Sequence, residues 1–348
     1  MRRFVFASLI PVLFVATARC ELPVAPGAEY YAWDSLNHRC DTSADAQSCI
    51  DGLSWPPAEF AIRCTPATSS NGDVLVRFPT PVPSGNKTND LVTLEWYVAR
   101  DGDSVPIAAP AVVVVHESGG NMAVGRIFAR GLRGQGVHAF MLQLPYYGER
   151  LEAGTRREAK NLVTATRQAI ADVRRARDAV AALPLVDART IALQGTSLGG
   201  FVAATAAGLD RGYDQVFLML AGGDLFSVIQ NGKKDAARYR DALAEVGLSG
   251  ETLKTKLLSV EPVRLAHRLN PASTWLYSAT RDEVVPFENA ALLAQAAKLD
   301  SAHHVRMFAN HYSGIIYLPF LVQHIGTQIH NAGQGMGTAR GNDQTSGD

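Results

Sequence analysis

Past residue 71 the chain alternates short apolar runs with amphipathic stretches. Val74-Leu75-Val76-Arg77-Phe78 and Leu91 to Val98 read as two strands joined by the Pro/Gly/Asn-rich connection a hairpin requires. Ala111-Val112-Val113-Val114-Val115 is a β-branched run without polar alternation, which predicts a strand covered on both faces. Further strands are predicted at His138–Leu144, Thr190–Gln194, Gln215–Leu220, Thr274–Ser278 and His304–Phe308. Helices are predicted at Ala123–Gly134, Arg156–Leu183, Phe201–Leu209, Asn289–Lys298 and Ile315–His330. Strands that alternate with helices imply right-handed crossovers, hence an α/β fold with a mostly parallel central sheet of about eight strands.

Three stretches depart from this rhythm. Residues 224–269 form a polar, helix-prone insertion with helices at Asp235–Val246 and Glu251–Leu258, placed to cap a site at the sheet edge. In the long helix, Arg156, Arg157, Lys160, Arg167, Arg174, Arg175 and Arg177 lie opposite an apolar stripe, so they are expected to be a solvated face. Residues 333–348 are glycine-rich and polar, and are expected to be a disordered tail. Residues 19–71 precede the α/β pattern, so an N-terminal extension is expected there and the main α/β domain over 72–332.

Composition narrows the setting. The 33 basic and 33 acidic side chains among 348 residues leave no net field for a polyanion, which argues against nucleic acid and polybasic membrane docking. Met1-Arg2-Arg3, the apolar run Phe4 to Val15 and Ala16-Thr17-Ala18 have the layout of a signal peptide over residues 1–18, which predicts a secreted or periplasmic protein. That run is broken by Pro11 and is too short to span a bilayer. Cys20, Cys40, Cys49 and Cys64 all fall in the front segment, and an even number of thiols in an exported chain predicts two disulfides there, with the pairing open.

The chemistry concentrates behind the cysteines. The strand Thr190–Gln194 runs into Gly195-Thr196-Ser197-Leu198-Gly199-Gly200 and then a small-residue helix. This is G-x-S-x-G in its strand-turn-helix setting, where a strained turn exposes a serine nucleophile and the glycines avoid clashes. An acid is expected after the next-to-last strand and a histidine after the last, which selects Asp282 in T-R-D-E-V-V-P and His311 in F-A-N-H. Glu283 and Asp224 are the competitors for the acid. Oxyanion donors are expected from the backbone N–H of Leu198 and from that of Ser118 or Glu117 in the glycine-rich loop His116 to Asn121. Tyr146 and Tyr147 close the following strand at the same edge, either lining the substrate pocket or packing in the turn.

Taken together, H-E-S-G-G-N, L-P-Y-Y-G-E-R, G-T-S-L-G-G and D-E-V-V-P make residues 74–330 resemble the α/β-hydrolase superfamily. Their pattern is similar to the dienelactone hydrolase and acetyl xylan esterase branches. Dienelactone hydrolases have cysteine where this chain has Ser197, so that reaction is not expected, and Glu117 stands where that family has a glutamate partner for its nucleophile. The resemblance implies a serine esterase that uses Ser197, Asp282 and His311 on a small-molecule or polymer-borne ester, without a metal or organic cofactor. A serine peptidase of the same fold is the nearest alternative, and a non-catalytic binding protein is the alternative from another class.

Overall fold

A computed structural model describes residues 22–37, 40–69 and 71–341, with side chains described to residue 334. The front contributes β1 (Glu29–Trp33), α1 (Ala44–Leu53) and β2 (Glu59–Pro66), followed by β3 (Val74–Pro79), β4 (Leu91–Tyr97), β5 (Ala109–Val115), α2 (Ala123–Gly134) and β6 (His138–Leu142). Next come α3 (Leu162–Ala181), β7 (Val186–Thr196), α4 (Leu198–Asp210) and β8 (Gln215–Met219). The insertion folds as α5 (Leu225–Asn231), α6 (Asp235–Glu245), α7 (Gly250–Leu257) and α8 (Pro262–Ala266). The chain returns through β9 (Thr274–Ala279), α9 (Phe287–Ala296), β10 (His304–Met307) and α10 (Leu318–Gly341).

The strands form one sheet in the order β1-β2-β3-β4-β6-β5-β7-β8-β9-β10. Pairing is antiparallel from β1 through β4 to β6, and parallel from β6 to β10. Central β5 explains the unbroken valine run: Val112 to Val115 are wholly buried because helices cover both faces of the sheet. The parallel strands all end at the edge where βα loops gather, and there an open α/β sheet binds ligands.

The sheet has ten strands where the sequence reading expected about eight, because the front segment contributes β1 and β2. Phe60, Ile62 and Cys64 alternate with more exposed neighbours along β2, so this strand buries one face and extends the sheet. The expected disulfides are also corrected. Cys40, Cys49 and Cys64 are free, and Cys20 lies outside the described residues, as does the signal-peptide stretch. Cys49 and Cys64 are fully buried and pack as small hydrophobes; burial pushes the Cys64 thiol up to about 11.

Ion pairs fasten the front instead, and they overturn the solvated-face reading for Arg174 and Arg175, whereas Arg156, Arg157, Lys160 and Arg167 are exposed as expected. Arg174 and Arg175 are buried. Arg174 binds Asp210 at 2.7 Å, Asp178 at 3.0 Å and the Ser35 hydroxyl at 2.9 Å, while Arg175 pairs with Asp34. The front segment covers what would otherwise be the solvent side of α3. At the other end, Leu321, Val322, Ile325 and Ile329 pack into the core and α10 runs on to Gly341, past the start of the stretch read as a disordered tail. Each added residue in a nucleated helix costs little. Among the described residues, no helix is long and apolar enough to cross a membrane.

Candidate active site

Ser197 occupies the single residue between β7 and α4, with φ 52° and ψ −115°. Such backbone strain in a non-glycine residue persists only where its surroundings enforce it. Here the neighbours do so. A Cβ on Gly195 would sit 2.3 Å from the Gly199 carbonyl oxygen, and one on Gly199 would sit 2.2 Å from that of Val115. The Ser197 N–H donates to Met219 O at 2.8 Å, which ties the turn to β8. The first N–H groups of α4 lack intrahelical acceptors, and the helix dipole makes this end electropositive.

The other two residues selected from sequence meet Ser197. His311 Nε2 lies 3.0 Å from Ser197 Oγ, and His311 Nδ1 lies 2.7 Å from Asp282 Oδ2. Asp282 Oδ1 accepts from the N–H groups of Val284 at 2.8 Å and Val285 at 3.0 Å, so its buried carboxylate is fixed in orientation. The competitors point elsewhere. Glu283 is exposed and pairs with Lys233 and Lys234, whereas Asp224 caps α5 by accepting from Ser227 N at 3.0 Å.

The loop after β5 forms the opposite wall. Glu117 departs from the role its resemblance implied: its carboxylate accepts from Val124 N at 3.2 Å and Gly125 N at 3.1 Å, which caps α2. The Ser118 carbonyl is held by Tyr147 Oη at 3.1 Å and Arg157 Nη1 at 3.3 Å, with the Arg157 guanidinium 3.9 Å over the Tyr147 ring. Burial, and then the neighbouring Tyr239, push the Tyr147 phenol well above its ordinary range, so it remains a donor. Beneath the loop, the Leu144 N–H donates to His116 Nε2 at 3.1 Å, leaving Nδ1–H for the Glu117 carbonyl at 2.5 Å. Burial depresses His116 to about 3, so it is neutral.

Tyr146 and Tyr147 both line the cavity, and their turn hangs on Arg150, the last residue of the L-P-Y-Y-G-E-R stretch. The fully buried Arg150 donates to Asn89 O at 2.8 Å and Gln143 O at 2.9 Å, and pairs with Asp172 at 2.8 Å.

Ser197, Leu198, Ser118, Glu117 and His311 open on one cavity of about 760 Å³, which α6 crosses with Asp235, Arg238 and Tyr239. Helix α6 of the insertion therefore borders the cavity. It also grips the loops beneath. Lys233 Nζ lies 2.9 Å from Glu283 Oε1, next to Asp282, and Tyr312, next to His311, donates to Asp235 at 3.0 Å. Spacing in the sequence could not reveal these contacts, because their partners are 50 and 77 positions apart.

Comparison with known proteins agrees with this architecture. The prolyl oligopeptidase family profile matches residues 153–314, a span that contains Ser197, Asp282 and His311. An acetyl xylan esterase from Paenibacillus sp. R4 is 16% identical, with a TM-score of 0.56 over 85% of this chain and 96% of that one. Acetyl xylan esterase 1 from Thermoanaerobacterium sp. JW/SL YS485 is 15% identical, with a TM-score of 0.53 over 83% and 96% of the two chains. An α/β hydrolase from Penicillium sp. sh18 is 14% identical, with a TM-score of 0.52 over 74% and 98%. Among curated proteins no sequence match was found. At these identities the likeness is one of fold.

Proposed function

We propose, from the premise that this chain has the α/β-hydrolase fold, that it is a serine hydrolase acting on a carboxylic ester. The observation that carries the proposal is the hydrogen-bonded chain from Ser197 Oγ through His311 to Asp282, at the floor of a cavity and at the amino end of α4.

In this reading His311 Nε2 takes the Ser197 proton as Oγ attacks the ester carbonyl, and Asp282 fixes the imidazole tautomer and stabilises the imidazolium. The Leu198 N–H, with that of Ser118 or Glu117, binds the oxyanion. The alkoxide leaves with the proton from His311, and water activated by the same histidine releases the acid. Tyr147 and Arg157 hold the oxyanion loop through the Ser118 carbonyl. The N-terminal pattern supports export to the periplasm or exterior as part of the proposal.

A fluorophosphonate probe tests this. Label on Ser197 in the wild type, together with a roughly million-fold loss of kcat in Ser197→Ala, is the expected result. Unlabelled Ser197, or undiminished ester hydrolysis by the alanine variant, would sink the proposal in favour of a binding protein. The match to the prolyl oligopeptidase family favours a peptidase as second reading. Rates on nitrophenyl esters set beside those on aminoacyl anilides separate the two.

A further inference from the structure

A second cavity, of about 110 Å³, opens beside Ser197 and Leu198. The two cavities differ in what they reach. The larger is lined by His311, Arg157 and Arg238 together with apolar side chains such as Leu144, Met219 and Ile315, whereas the smaller reaches none of these. Its walls are Phe201 of α4, Val284 and Val285 after Asp282, and Val228, Ile229 and Leu257 of the insertion. Ser118, Thr166, Asp235 and Tyr239 contribute to both cavities and stand where the two join.

This division assigns the two halves of an ester. In acyl transfer the Ser197 Oγ–carbonyl bond forms and the carbonyl–alkoxy bond breaks, with the proton passing from Ser197 to His311 and on to the departing oxygen. That oxygen must lie within hydrogen-bond reach of His311 Nε2, so the alcohol occupies the cavity that His311 lines. The acyl substituent projects from the same carbonyl carbon toward the lobe that touches Ser197 without reaching His311.

We propose that the small lobe is an acyl pocket, half of it built by the insertion, which restricts the enzyme to short, uncharged aliphatic acyl groups carried on a larger alcohol. The inference rests on the serine-hydrolase reading above. A cavity of about 150 Å³ with Leu, Ile and Phe walls takes one benzene, so a lobe of this volume admits an acyl tail of roughly four carbons. The apolar walls hold no counter-charge for a carboxylate.

The experiment is a series of nitrophenyl esters from acetate to decanoate, and a parallel series of acetates of increasingly large alcohols, run on the wild type and on Val228→Phe. In the wild type kcat/KM should rise by up to about fourfold per methylene to butyrate, as each buries apolar area, and drop at least tenfold by octanoate. Val228→Phe should move the optimum to acetate and leave the alcohol series unchanged. Should that variant fail to fold, Val228→Leu narrows the same lobe by one methylene, and the wild-type series decides on its own. Rates that climb steadily to decanoate, or a variant that alters only the alcohol series, would overturn the assignment. Fluorophosphonate labelling of both proteins keeps the outcomes apart: a labelled Ser197 with the wrong chain-length profile rejects the pocket alone, whereas an unlabelled Ser197 rejects the reading beneath it.

Discussion

Tyr312, the residue after His311, donates its hydroxyl to Asp235 Oδ2 of α6 at 3.0 Å, so the cap insertion is bonded to the loop that carries the proposed base. Lys233 and Lys234 make the matching connection to Glu283, beside Asp282. Exposed pairs of this kind contribute only about 0–1 kcal/mol to stability, so their effect should lie in geometry. A misplacement of about 1 Å can cost up to roughly 100-fold in rate. Tyr312→Phe and Asp235→Asn are therefore expected to lower kcat on a short-chain ester by about 3- to 10-fold with KM held within about twofold, and to leave the thermal midpoint almost unmoved. A rise in KM at constant kcat would mean that α6 only contacts substrate.

Arg174 is the second point of leverage, this time on stability. Its guanidinium is about 1% exposed and satisfies Asp210 and Asp178 together while donating to Ser35 of the front segment. Removing it leaves Asp210 with only backbone N–H donors and Asp178 with Ser35 and the more distant Arg177 at 3.6 Å, and breaking such a buried pair costs about 3–5 kcal/mol. Arg174→Ala should lower the urea midpoint by that equivalent, and Arg174→Met, which restores apolar bulk but no charge, should recover little of it. Denaturation curves that coincide with the wild type would show that the front segment does not depend on this anchor.

The contrast between these two sites explains what was legible in the sequence. Ser197, Asp282 and His311 could be placed because the fold fixes where each loop leaves the sheet, and a G-x-S-x-G turn has a local backbone requirement that glycines satisfy. The valine run of β5 likewise announced a doubly covered strand. Arg174 could not be read in the same way: its helical face looks solvent-facing until β1 and the stretch around Asp34 and Ser35 are folded over it. Cys49 and Cys64 misled for a related reason. Their count suggested bridges, but each sits in its own part of the core, Cys49 on α1 against the Leu258 carbonyl and Cys64 on β2. The α6 contacts to Tyr312 and Glu283 depend on how the insertion folds back, which no local spacing encodes.

Gly199 makes the strain at the turn measurable. Its absent Cβ would stand 2.2 Å from the Val115 carbonyl oxygen and 2.6 Å from that of His116, both of which belong to the backbone that leads into the oxyanion loop. A backbone clash cannot be relieved by a rotamer change, so Gly199→Ala should cost at least about 3 kcal/mol, the upper end for overpacking. Gly134→Ala on α2, where an added methyl meets nothing within 4 Å, is the control and should be neutral or slightly stabilising. Equal melting temperatures for the two variants would contradict the packing described for the nucleophile turn.

The buried histidines predict how stability responds to acid. His138 Nδ1 accepts from Trp96 Nε1 at 3.1 Å and from Ala99 N at 3.0 Å, while Nε2–H donates to Ile107 O at 2.9 Å. A proton on Nδ1 would displace both donors, and burial holds the group at about 4, down from 6.5. His116 is depressed further, to about 3, for the same reason. Between these values and 6.5 the unfolded chain binds more protons than the folded one, so folding stability is complete above about pH 6.5 and falls as the pH drops toward 4. The loss approaches about 1.4 kcal/mol per pH unit for each histidine, or a few kcal/mol in all by about pH 5. The raised carboxyls of Glu261 and Asp214 act in the opposite sense, since burial favours their protonated forms in the folded protein. A variant at one histidine isolates its share: His138→Gln should be less stable at pH 7 but show a clearly shallower decline in urea midpoint from pH 7 to pH 5. Parallel declines in variant and wild type would exclude His138 as a source of the acid sensitivity.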